Sequence, residues 1–162
     1  MGSYTGTVPT FLAGELVDAD KLVEITDFMT AATAAWTDYT PDWGASAGTP
    51  AIGTGTLTGG YRRLGKTLDF QINLVGGSTT TYGTSGAYWF LGIPAGLAAA
   101  RQFHGQGHIL NQGVDEFQCS WRLSAGSGSI EVMRESARGT NTSPFVFGDT
   151  DQLTLNGTIE IT

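Results

Sequence analysis

The sequence predicts a mainly-β fold: a jelly-roll-like antiparallel β-sandwich of about eight strands, preceded by an extended arm and one α-helix. Three observations lead there. Leu68, Phe70, Ile72 and Leu74 alternate with Thr67, Asp69, Gln71 and Asn73, the period of two that buries one face of a strand. Phe117, Cys119, Trp121 and Leu123 alternate in the same way with Gln118, Ser120 and Arg122. The 162 residues include 24 glycines and only 14% are charged, well under the usual share of about a quarter. That composition suits many turns better than a helix bundle. A chain of this length forms one domain, or one domain with a small appendage, and buries a real core. We divide it into an N-terminal arm and helix (1–36), a linker (37–55) and a β-sandwich domain (56–162).

Residues Met1–Thr10 are small and polar, and Pro9 prevents a helix there. Such an arm is either a loose terminus or a docking arm tied down by a partner. The helix begins near Asp18 or Asp20, whose carboxylates suit the cap and the positive end of the helix dipole. It runs through the alanines to Ala35, about 18 residues or roughly 27 Å. Leu22, Ile25, Met29, Ala32 and Trp36 fall at steps of three and four, which is heptad spacing. Val23 and Phe28 widen the apolar face. So short a seam favours, on spacing alone, a helix packed on its own domain over a contact between copies. Trp36, Tyr39, Pro41 and Trp43 end the helix and staple it to the sheet. Pro41 and the glycines of 44–55 mark the domain boundary.

Thr56–Arg63 and Lys66–Val75 form a β-hairpin. Gly76–Gly86 is a surface loop without the lysine of a phosphate loop. Ala87–Pro94 is apolar on both faces, with Ala87, Trp89, Leu91 and Ile93 on one and Tyr88 and Phe90 on the other. Both faces are therefore covered, the outer one by a subunit contact or by a loop. Ala95–Arg101 is alanine-rich and is read as one helical turn. Strands follow at His104–Gln112, Glu116–Leu123, Ile130–Met133, Phe145–Phe147 and Gln152–Leu155, with a polar loop at 134–144. Gly157–Ile161 closes the domain after a bulge or turn at Asn156–Gly157.

The net charge of −7 argues against nucleic acid as a partner. The one basic pair, Arg62–Arg63, reads as a solvated strand edge. A single cysteine, Cys119, excludes an intrachain disulfide and a thiolate zinc site. No apolar run approaches the roughly 20 residues of a membrane span, so no membrane insertion is expected. Met1–Tyr4 lacks the pattern of a secretory signal, so synthesis in a cytoplasm is expected. His104 and His108 on one strand would stand roughly 13 Å apart, too far to share a metal. Cys119, between Phe117 and Trp121, reads as a small buried hydrophobe rather than a nucleophile paired with a histidine. Asp149–Asp151 lacks the closing glutamate of a calcium loop. Asp115, Glu116, Glu131 and Glu135 offer the carboxylate pairs that any acidic β-protein offers. No catalytic residue, metal ligand or cofactor is expected, and nothing supports an enzyme. Trp43, Tyr82 and Tyr88 are candidates for stacking on a cell-surface glycan, with the flexible loop 76–86 as a recognition loop.

Pro9-Thr10-Phe11-Leu12-Ala13-Gly14-Glu15-Leu16, followed by a helix and then Trp36-Thr37-Asp38-Tyr39-Thr40-Pro41, resembles the N-terminal part of small tailed-bacteriophage virion proteins. Those chains often continue with Gly-x-Gly-Thr-Leu-x-Gly-x-Tyr-Arg-Arg-x-Gly-Lys, to which Gly53–Lys66 is similar. Residues 86–94 and 151–158 are similar in style, so short motifs span nearly the whole chain. The resemblance implies a structural protein of the particle: a minor tail protein, a head fibre or a capsid decoration. It implies a homotrimer anchored to other virion proteins, capsid or tail, through residues 1–36, with a β-rich domain displayed on the virion. It tips the helix towards an intersubunit seam of Leu22, Ile25, Met29, Ala32 and Trp36. The chain departs from long tail fibres in being short and without a fibrous repeat. The alternative expectation is a receptor-binding module for a host-surface glycan.

Overall fold

The computed structural model describes residues 18–33, 35–134, 137–138, 140, 142 and 144–162. The arm Met1–Thr10, the motif Pro9–Leu16 and Glu135 lie outside the described residues. Helix α1 (Ala19–Ala32) starts where the acidic residues place it. Asp18 Oδ1 accepts from the Lys21 N–H at 3.0 Å and the Asp18 carbonyl from the Leu22 N–H at 3.1 Å. The side-chain bond satisfies one of the helix's otherwise orphaned donors, and the carbonyl accepts the first bond of the helix itself. The helix ends at Ala32, short of the expected Ala35. The Thr33 hydroxyl bonds back to the Met29 and Thr30 carbonyls at 2.9 and 3.3 Å, a local alternative to further helix. No basic side chain supports the last turn, and the chain enters strand pairing from Thr37.

The strands are β1 (Thr37–Tyr39), β2 (Trp43–Ala45), β3 (Thr56–Leu64), β4 (Thr67–Val75), β5 (Trp89–Gly92), β6 (Phe103–Asn111), β7 (Asp115–Leu123), β8 (Ser129–Arg134), β9 (Ala137–Arg138) and β10 (Gln152–Glu160). They form one antiparallel sheet in the order β1-β3-β4-β10-β6-β7-β8-β5-β2, with β9 beside β8. Its two ends belong to one segment, because β1 and β2 are joined by Thr40–Asp42 alone. The sheet therefore curls onto itself. The Gly92 N–H donates to the Asp42 carbonyl at 2.8 Å, and the Tyr39 hydroxyl donates to the Gly92 carbonyl at 3.2 Å. Those bonds tie the junction and leave neither edge long or open. This is the jelly-roll-like sandwich that the alternation predicts.

The core is the set of inward positions on those strands, among them Leu68, Phe70, Ile72 and Leu74 of β4 and Cys119, Trp121 and Leu123 of β7. Trp121 organises its centre. The β6–β10 ladder stops after Leu155 and Gly107, and the two strands fork. The Trp121 indole closes that fork from the core side. A Cβ at Gly105 or at Gly157 would collide with its six-membered ring. Its Nε1–H donates to the Asn156 carbonyl at 2.9 Å, and its ring meets Phe70 edge-on at 5.3 Å.

Four local expectations differ from the structure. The stretch 37–55 supplies β1 and β2, and Ala51 bridges Thr81, so it is sheet as well as connection. Three-residue strands carry no readable period. Residues 95–101 make no helical turn: the buried Ala99 bridges Ile161, and its N–H donates to the Ser127 carbonyl at 2.9 Å. Phe145–Phe147 has no ladder partner. Phe147 is buried all the same, by stacking on Phe145 and meeting Trp89, both at 4.7 Å. Asn156–Gly157 is neither bulge nor turn. β10 runs through it in unbroken register with β4, Asn156 opposite Gln71 and Gly157 opposite Phe70.

Candidate functional surfaces

The helix presents the first surface. It meets the sheet mainly at β3, with Lys21, Ile25 and Phe28 half-buried. Leu22, Val23 and Met29 are 55%, 58% and 61% exposed, and Ala32 is exposed. Four of the five seam residues thus lie on α1. The fifth, Trp36, lies beyond the helix end. Its indole sits over β3, where a Cβ at Gly60 would stand 3.4 Å from Cε3, with the Arg62 guanidinium 5.9 Å from the ring centre.

The aromatic candidates divide between the two faces of β5. Trp43 and Tyr82 belong to the rim of the core. Trp43 meets Tyr82 and Trp89 edge-on at 5.9 and 5.7 Å, and Tyr82 stacks on Trp89 at 5.8 Å. The Tyr82 hydroxyl donates to the Gly148 carbonyl at 2.6 Å. Burial, helped by the Asp151 and Asp149 charges, pushes that phenol up to about 12. Tyr88 is on the outer face, edge-on to Phe90 at 5.1 Å and bridged to Thr140.

The titratable groups engage in framework contacts. Asp151, 5% exposed, accepts from the Gln112 N–H at 2.9 Å and the Gly148 N–H at 2.7 Å. It fastens the β6–β7 turn to the approach of β10. Glu131 pairs with Arg122 at 2.5 Å, and Glu116 lies 3.4 Å from His108. His104 lies 2.8 Å from the Gln102 amide nitrogen. Burial pushes the Cys119 thiol up to about 12, away from thiolate chemistry at neutral pH. No three His, Cys, Asp or Glu side chains converge as metal ligands among the described residues.

The remaining surface was not singled out by sequence reasoning. It is the outer face of β3-β4-β10-β6-β7. Cross-strand register aligns Thr58, Asn73, Thr154, His108 and Gln118 in one row. A second row holds Gln71 opposite Asn156, and Gln106 opposite Ser120. Neither row contains a lysine, arginine, aspartate or glutamate. Two depressions flank the β4–β10 pair. One, of about 210 Å³, is lined by Trp36, Asp38, Thr58, Gly60, Gln71 and Asn73. The other, of about 280 Å³, lies at the β6–β10 fork among Gln106, His108, Gln118, Thr154 and Asn156. The available signal was the polar half of each alternating strand, which becomes a surface only when register sets the strands side by side. The chain matches no protein-family model, no curated protein and no solved structure.

Proposed function

We propose that this chain is a non-enzymatic structural protein of a tailed-bacteriophage virion. In this reading it is a homotrimer that attaches to other virion proteins, of capsid or tail, through residues 1–36. The β-sandwich is displayed on the particle, as in a minor tail protein, a head fibre or a capsid decoration. The protein is made in the host cytoplasm and resides in the virion. The carrying observation is the apolar face of α1. Leu22 and Met29 are one heptad apart, and both are more than half exposed, as is Val23. Burying such a side chain contributes about 1.5–3 kcal/mol, so a face this apolar favours a contact beyond those that the described residues of one chain make. In a parallel seam Leu22 and Met29 of each copy meet their own equivalents, as heptad spacing requires. The motifs similar to phage virion proteins support the particle as the setting.

Light scattering after size exclusion tests the assembly. The expected mass is three times the 17.0 kDa chain. A monomer at micromolar concentration would sink the independently stable trimer. Deletion of residues 1–36 tests the anchor: it should spare the fold of the β-domain and abolish incorporation into particles.

A further inference from the structure

One row of amide, hydroxyl and imidazole side chains crosses five strands on the outer face, about 19 Å at the usual strand spacing of about 4.8 Å, and a second crosses four. A solvated strand face needs only polarity, and Lys and Glu supply that readily. Here charged side chains are absent from both rows, although Arg62, Asp69, Glu116 and Arg122 border them one step along the strands, Glu131 lies beside Arg122 on β8, and the Glu116 carboxylate stands 3.4 Å from His108. A tryptophan, 46% exposed, walls one end.

We propose that this face is a binding groove for a neutral oligosaccharide, with Trp36 as its stacking wall and Gln71 and Asn73 as its central hydrogen-bonding groups. A sugar hydroxyl both donates and accepts. A carboxamide offers both functions on one planar group, and a threonine or serine hydroxyl does the same. The Asn73 Oδ1 accepts from the Thr154 hydroxyl at 3.1 Å, so the amide is positioned before any ligand arrives. The C–H face of a pyranose suits an aromatic ring whose apolar area is in water. Asp38, beside Trp36 in the same depression, adds an acceptor. The fork between β6 and β10 continues the groove, because Trp121 fills the gap from the core side and leaves the outer side concave.

The chemistry disfavours other classes of partner. Phosphate and carboxylate ligands call for fixed cations, which the rows lack, and the net charge of −7 repels them. Protein interfaces centre on apolar anchors, which the rows also lack. Trp43 and Tyr82 fit a sugar less well than Trp36, because their rings are engaged with Trp89 and with each other.

The test is a chemical-shift titration of the isotope-labelled full chain. The probes are neutral oligosaccharides of glucose, galactose, mannose and N-acetylglucosamine, each at millimolar concentration. At least one should saturably shift the Trp36 indole N–H and the Gln71 and Asn73 side-chain amides. Trp36→Ala and Gln71→Ala, both at exposed positions, should each weaken that binding about tenfold, as removal of an interface anchor does. No response to any of the four overturns the proposal. So does a response only to sialylated or otherwise acidic glycans, or one centred on Trp43, Tyr82 and Tyr88. Trp36 also belongs to the seam and to the anchoring segment 1–36, so Gln71→Ala, outside both, is the variant that separates the groove from the trimer.

Discussion

The glycine at position 157 tests the account of the core most directly. A Cβ there would stand 3.0 Å from Trp121 Cη2 and 3.1 Å from Phe70 Cε1, and closer still to Trp121 Cζ2. The indole has nowhere to retreat. It is 2% exposed, its other flank is against Gly105, and its Nε1 is held at 2.9 Å by the Asn156 carbonyl. Gly157→Ala therefore overpacks the core, at about 1–3 kcal/mol, and pulls on a buried hydrogen bond. A loss of about 3 kcal/mol is expected from the two effects together. Trp121→Leu removes the obstructing ring and the donor, and alone costs about 3–4 kcal/mol. In that background the alanine has room, and Gly157→Ala should be neutral or gain about 0.5 kcal/mol through the unfolded chain. The coupling energy is then about 3 kcal/mol, at the top of the range for residues in contact. Urea unfolding followed by circular dichroism measures all four proteins of the cycle. If Gly157→Ala costs the same in both backgrounds, within about 0.5 kcal/mol, then the indole is not the reason for the glycine.

Three further outcomes are expected. Asp151→Ala strands the buried N–H groups of Gln112 and Gly148 and should cost about 3 kcal/mol in thermal unfolding, because each loses a charged acceptor; Asp151→Asn, with one acceptor oxygen, should recover part of it. Stability should hold from neutral pH to about 9 and then fall towards about 12, because the Cys119 thiol rises from 9.0 and the Tyr82 phenol from 10.0, both to about 12. The unfolded chain ionises first in that window, so folding loses ground as pH rises. In a pH series of melting temperatures, Cys119→Ala should delay the onset of this fall to about pH 10, since the Tyr82 phenol starts from 10.0. Met29→Asp places a charge on the exposed face of α1 and should reduce the light-scattering mass to one chain, with no change in the β-sheet circular dichroism.

Much of the fold was legible because burial imposes its period on the chain. β4 and β7 bury every second residue, and the sequence alternates accordingly. The misreadings share one cause, the weight given to local signals where long-range contacts decide. Asn156–Gly157 carries the composition of a turn, but its glycine answers to a tryptophan 36 residues away in the chain. Ala95–Arg101 has helical composition, but Ala99 is held by Ser127 and Ile161. Phe145–Phe147 alternates like a strand, yet its rings fill an aromatic cluster with no ladder beside them. The same reasoning explains why the polar rows were missed. Thr58, Asn73, Thr154, His108 and Gln118 come from five strands, and nothing in any one strand marks its polar residue as more than the solvated half of an alternation. Register makes them neighbours, through the closing of β10 between β4 and β6. Among the aromatic candidates, Tyr82 stands in a glycine-rich stretch that reads as a surface loop, yet its ring stacks on Trp89, and Trp43 meets Trp89 edge-on. Trp36, assigned by spacing to the helix seam, lies beyond the helix end and is 46% exposed.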